Sequence, residues 1–154
     1  MSSYAAEEFI QFAIQIEDDG EQFYRALAGK FKGKIAAFFE DLSRQEREHG
    51  GFFGRMAKRL DRYQPAEFFN ESYFAHLRAL TQSNVFDRKA VLADIAEINT
   101  LKQAIDFAVL RERASIEYYE GLSRLINTND QHMMEAIIEE EQSHIKQLNA
   151  MLET

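Results

Sequence analysis

The chain has 154 residues, 26 acidic against 18 basic side chains for a net charge of −8, and no cysteine. That length suits one domain, residues 1–154, burying roughly two thirds of its extended surface. The charge excludes nucleic acid as a partner, because no face concentrates basic residues against a phosphate backbone. The lack of cysteine excludes disulfides, thiolate nucleophiles and iron–sulfur ligation, so any metal chemistry must use carboxylate oxygen and imidazole nitrogen.

The opening MSSYAAEEFIQFAIQIEDDGE has no basic leader, and charge interrupts its apolar run. Neither a signal peptide nor a membrane span is expected, and the expected compartment is the cytoplasm. Pro65 is the only proline, and long stretches rich in Ala, Leu, Glu, Gln, Lys and Phe favour an all-α fold.

A first helix is predicted over about 4–28, with its seam at Ile10, Ala13, position 17, Gly20, Tyr24 and Leu27. The short turn AGKFKG leads to a second, over about 34–62, whose seam runs Ile35, Phe39, Leu42, then Phe53, Met56 and Leu60. The two slots that complete this series hold Glu46 and His49. A crossover follows over about 63–99, within which SYFAHLRALTQS and DRKAVLADIAEI read as short helices. The third long helix, over about 100–125, has Ile105, Ala108, position 112, Ser115, Tyr119 and Leu122 on its seam. After the turn INTND, the fourth, over about 130–152, has Met134, Ile137, positions 141 and 144, Leu148 and Met151. Short turns within each pair and a long connection between pairs predict a four-helix bundle made of two hairpins.

The two hairpins look duplicated. FAIQIEDDGEQFYRAL (12–27) aligns with FAVLRERASIEYYEGL (107–122), and in the same register Glu40 lies over Glu135, Glu46 over Glu141, His49 over His144 and Met56 over Met151. The residues that interrupt the seams are Glu17, Glu46, His49, Glu112, Glu141 and His144. Glu46 follows Glu17 by 29 residues and Glu141 follows Glu112 by the same 29. Each His follows its Glu by three, which puts both side chains on one helical face.

Four carboxylates in the interior of a bundle are untenable without compensation, since each uncompensated buried charge costs several kcal/mol in a domain stable by roughly 5–15 kcal/mol. No seam position at mid-helix is basic. Two divalent cations close the count with both imidazoles neutral, and oxygen-rich ligands with one imidazole per metal suit iron or manganese, with zinc a further occupant. A metal-free buried polar network is the competing reading. His76 and His132 lack a Glu three residues before them and read as surface or packing residues.

These motifs resemble the ferritin-like superfamily and, within it, the rubrerythrin-related group. IEDDGEQFYRALA is similar to that group's first-helix pattern Glu-x-x-Gly-x-x-Phe-Tyr, and LSRQEREHGGFF to its second-helix Glu-x-x-His. The resemblance covers nearly the whole chain outside the crossover. It implies a ferritin-like bundle in which Glu46 and Glu141 bridge two metals, Glu17 and Glu112 are terminal carboxylates, and His49 and His144 each cap one metal. It also implies a di-iron oxidoreductase that reduces hydrogen peroxide or dioxygen in oxidative stress or iron handling. The alternatives are a ferritin-like iron-binding or ferroxidase storage protein and a purely structural helical dimer. Two features depart from the group: there is no cysteine-rich electron-feeding module, so a separate electron-donor protein is expected, and Ser115 stands where the group has a further carboxylate. Bacterioferritin uses the same ligand types but has a shorter connection between its second and third helices.

Tyr24 and Tyr119 lie two turns beyond Glu17 and Glu112, either as hydroxyl partners near the metals or as space-filling aromatics. Phe9, Phe38 and Phe52 suggest an apolar outer face and hence a homodimer. Gly50, Gly51 and Gly54 inside the second helix read as close helix approach, room beside the metal or a local bulge. Glu139 and Glu140 read as solvated surface, with attraction of iron a lesser role.

Overall fold

The computed structural model of the chain describes residues 2–59, 71–126 and 128–153. In chain order the elements are α1 (Ser2–Lys30), α2 (Gly33–Ala57), α3 (Glu71–Thr81), a 3₁₀ turn (Asn84–Phe86), α4 (Arg88–Glu97), α5 (Leu101–Ser123) and α6 (Thr128–Met151). No strand occurs among the described residues, and no helix there is long and apolar enough to cross a membrane. The expected all-α class, the four long helices and both short crossover helices are all present. The second helix ends at Ala57 rather than near 62, where the Lys58 and Arg59 amides close a last turn onto Gly54 and Met56. The expected seam residue Leu60, and Pro65, lie outside the described residues.

Each hairpin is an extended antiparallel pair, α1 against α2 and α5 against α6. Gly33 makes the first turn with φ +63°, a left-handed conformation that glycine takes without a Cβ clash. The second hairpin starts at a capping box in which Thr100 and Gln103 satisfy each other's backbone amides. The described part of the crossover, α3 to α4, packs on one flank of the bundle, against α1 and α5. Leu77 is fully buried there beside Gly121, where a Cβ would lie 2.8 Å from Leu77 Cδ1, so only glycine admits the approach. Arg88 binds Asp19 at 2.6 Å and Lys30 donates to the Ile98 carbonyl at 2.9 Å, holding α4 to α1.

Phe9 and Phe52 do not form an outer face. Both are core residues, Phe9 beneath a stacked Phe74 of α3 and Phe52 against Phe53, while Phe38 stays partly exposed. The crossover covers apolar surface that four helices alone would leave bare. Phe9 and Phe52 therefore supply no argument for a dimer.

The apolar interior is split in two. One cluster gathers Ile10, Ala13, Phe53, Met56, Tyr119, Leu122, Met134 and Ile137; the other gathers Tyr24, Leu27, Phe39, Leu42, Ile105, Ala108 and Leu148. Glu17, Glu46, His49, Glu112, Glu141 and His144 fill the level between them, none more than 5% exposed.

Candidate metal centre

The seam slots that carry polar residues meet at this level because all four long helices reach it in register. Every one of the six residues expected from the spacing is there. Their donor atoms form two groups, Glu17, Glu46, His49 and Glu141, and Glu46, Glu112, Glu141 and His144, each with its atoms within 4.8 Å of one another. Glu46 and Glu141 belong to both.

Both imidazoles turn Nδ1 inward. His49 Nδ1 lies 3.0 Å from Glu141 Oε1 and 3.6 Å from Glu17 Oε2; His144 Nδ1 lies 3.3 Å from Glu112 Oε1 and 3.6 Å from Glu141 Oε2. The tyrosines hold the two remaining carboxylates from outside: Tyr24 Oη donates to Glu112 Oε1 and Tyr119 Oη to Glu17 Oε1, each at 2.5 Å. Each tyrosine thus reaches the carboxylate of the other hairpin. Burial and the facing carboxylates push both phenols well above their usual range, so the hydroxyls stay protonated donors.

Small residues make room for this layer. A Cβ at Gly20 would come within 3.2 Å of Glu46 Cδ, and one at Gly50 would come 3.5 Å from Glu17 Cβ. The close-approach reading thus fits Gly50. Among the described residues Gly51 and Gly54 face no neighbouring helix, and α2 runs on as α-helix without a bulge. Ser115, the duplicate of Gly20, donates its hydroxyl to the Arg111 carbonyl of its own helix at 3.0 Å.

Protons balance the charge of the layer in the absence of metal. Although burial opposes it, hydrogen bonds donated to Glu141 and Glu17 hold His49 protonated up to about 12, and those donated to Glu112 and Glu141 hold His144 protonated up to about 10. Burial and the neighbouring Glu141 push Glu112 up to about 8 and Glu46 well above the carboxylate range. Glu141 is held low against its burial by hydrogen bonds from Glu112, His144 and His49.

These residues fit a pair of divalent cations. Glu17 Oε2, Glu112 Oε2 and Glu141 Oε2 are buried and accept no hydrogen bond, a costly arrangement that an ion between them would relieve. Carboxylate oxygens with one imidazole nitrogen per group suit iron or manganese.

Three contributors escape seam reading. Glu140 receives His49 Nε2 in a short contact and Gln45 Oε1 receives His144 Nε2 at 2.8 Å, so Glu140 is more than solvated surface. The duplication could have found both, since it places Gln45 over Glu140. Arg111 is buried off the seam, donating to the Val85 carbonyl at 3.1 Å with its guanidinium 5.1 Å from the Phe23 ring. His76 and His132 are at the surface, apart from the layer.

The family model for rubrerythrin matches residues 8–152. Among solved structures, the chain is similar to one from Thermotoga maritima, described as a candidate ferritin-like diiron-carboxylate protein. The two share 28% identity over 95% of this chain and 93% of that one, with a TM-score of 0.68. No curated protein matches the chain.

Proposed function

Since the chain belongs to the rubrerythrin family, we propose that it is a di-iron oxidoreductase that reduces hydrogen peroxide or dioxygen. The observation that carries this reading is the pair of buried donor groups that share Glu46 and Glu141. In it, Glu46 and Glu141, common to both donor groups, would help hold both iron ions, with Glu17 and His49 completing one set of ligands and Glu112 and His144 the other. When bound, a ferrous pair supplies two electrons, enough with two protons to convert one hydrogen peroxide to two waters.

The chain's own residues keep that chemistry in place. Tyr119 and Tyr24 each occupy one oxygen of a terminal carboxylate and leave the other free to bind, which fixes the carboxylate plane. The apolar clusters on both sides of the layer exclude bulk water and strengthen the electrostatic hold on the cations. None of these 154 residues is a cysteine that could relay electrons, and re-reduction is assigned in this reading to a donor protein.

Metal analysis after anaerobic ferrous loading should find about two ions per chain; none would refute the reading. Rapid mixing of the ferrous form with peroxide and with dioxygen should then show oxidation of the pair and return of the ferrous form on adding reductant. Retention of ferric mineral without such cycling would support storage instead.

A further inference from the structure

The six-residue frame is close to symmetric, but the atoms that back its imidazoles are not. His49 Nε2 meets the carboxylate of Glu140, whose side chain is half exposed and has no lysine or arginine partner among the described residues. His144 Nε2 meets the amide oxygen of Gln45 at 2.8 Å. The Gln45 amide nitrogen donates to Asp41 Oδ2 at 2.8 Å, which fixes the amide orientation, and Asp41 is itself paired with Arg44 at 2.6 Å. On one side a carboxylate touches the imidazole directly; on the other a neutral amide separates the imidazole from an acid already matched by a guanidinium. A charged acceptor on the outer nitrogen makes an imidazole a stronger donor through its inner nitrogen, and loss of such a partner typically weakens metal binding 10–100-fold.

We propose that the two metal positions are unequal and that Glu140 is the positioning residue that makes the Glu17, Glu46, His49 and Glu141 position the tighter one, filled first. This rests on the di-metal reading above. It assigns an order of loading to two positions that the motif spacing presents as equivalent.

Cobalt(II), which binds without redox turnover, tests it by titration of the metal-free chain. The expected result is two resolved steps at least about tenfold apart in Kd, with one set of paramagnetically shifted imidazole N–H resonances at one equivalent. E140Q should weaken the tight step by about 10–100-fold, merge the two steps and give two sets of resonances at one equivalent. Q45E, made together with D41N so that no acid faces position 45, should merge the steps in the opposite sense by tightening the weaker one. Two equal steps in the parent chain, or unchanged separation in E140Q, would overturn the inference while leaving the di-metal reading intact. No cobalt uptake by the parent chain would overturn both.

Discussion

The α1–α2 and α5–α6 hairpins carry the same frame, Glu at one seam level and Glu-x-x-His at its partner level, and each sends a tyrosine to the other's carboxylate. Within three residues of that frame they diverge. Gln45 answers Glu140, Gly20 answers Ser115, and the first hairpin has no counterpart of buried Arg111. The comparison teaches that the interior layer constrains both halves alike, whereas the surrounding shell is free to make them different.

Breaking the frame should have the largest effect. E46A or E141A removes a residue common to both donor groups and should abolish uptake of both ions, whereas E17A or E112A should spare one; metal content per chain after loading distinguishes these outcomes. If E46A retained a full complement, the shared role would be wrong.

The next effect concerns protons. In the folded metal-free chain His49 and His144 keep theirs up to about 12 and about 10, against an ordinary 6.5. Their stabilisation is complete below pH 6.5 and is lost as pH rises through those values. Glu112 acts in the same direction between 4.5 and about 8, while depressed Glu141 contributes above 4.5 and loses its contribution as the solution becomes strongly acidic. The Tm of the metal-free protein should therefore fall as pH is raised from about 5 toward 9. Bound metal displaces these protons and should flatten that slope; a Tm that rises with pH in the metal-free form would contradict the proton balance.

Y24F and Y119F sharpen the symmetry. Each removes the phenolic donor from a buried carboxylate oxygen, at a cost of up to about 1–3 kcal/mol; losses in thermal or denaturant unfolding are expected for both, the smaller for Y24F because His144 Nδ1 stays 3.3 Å from Glu112 Oε1. A loss confined to one variant would show that only one hairpin depends on its partner's hydroxyl. The smallest effect separates Gly20 from Ser115. G20A should weaken metal binding by crowding Glu46, with any gain in helix propensity no larger than about 1 kcal/mol, while S115A should leave binding unchanged because its hydroxyl serves its own helix.

Much of this was legible in sequence because burial imposes a period. The helices, the two hairpins and the meeting of six polar residues follow from three-four spacing and from a duplication that repeats polar residues where apolar ones belong. Tyr24 and Tyr119 sat on the same seams, so their position was readable although their partners were not. Gln45, Glu140 and Arg111 lie off the seams, where periodicity assigns a side chain to solvent; what places them is the reach of a side chain across to another helix, or the cover of a crossover turn. Phe9 misled for the same reason, since four helices alone do not show that Phe74 of the crossover stacks on it, and Phe52 turns out to be a core residue beside Phe53.

The described part of the crossover, α3 to α4, packs against α1 and α5. Between α2 and α6, the half-exposed Glu140 carboxylate sits on Nε2 of the buried His49. The side chain that backs the His49 imidazole is thus also a tie, reaching from α6 to α2 and joining the two hairpins at the level of the polar layer.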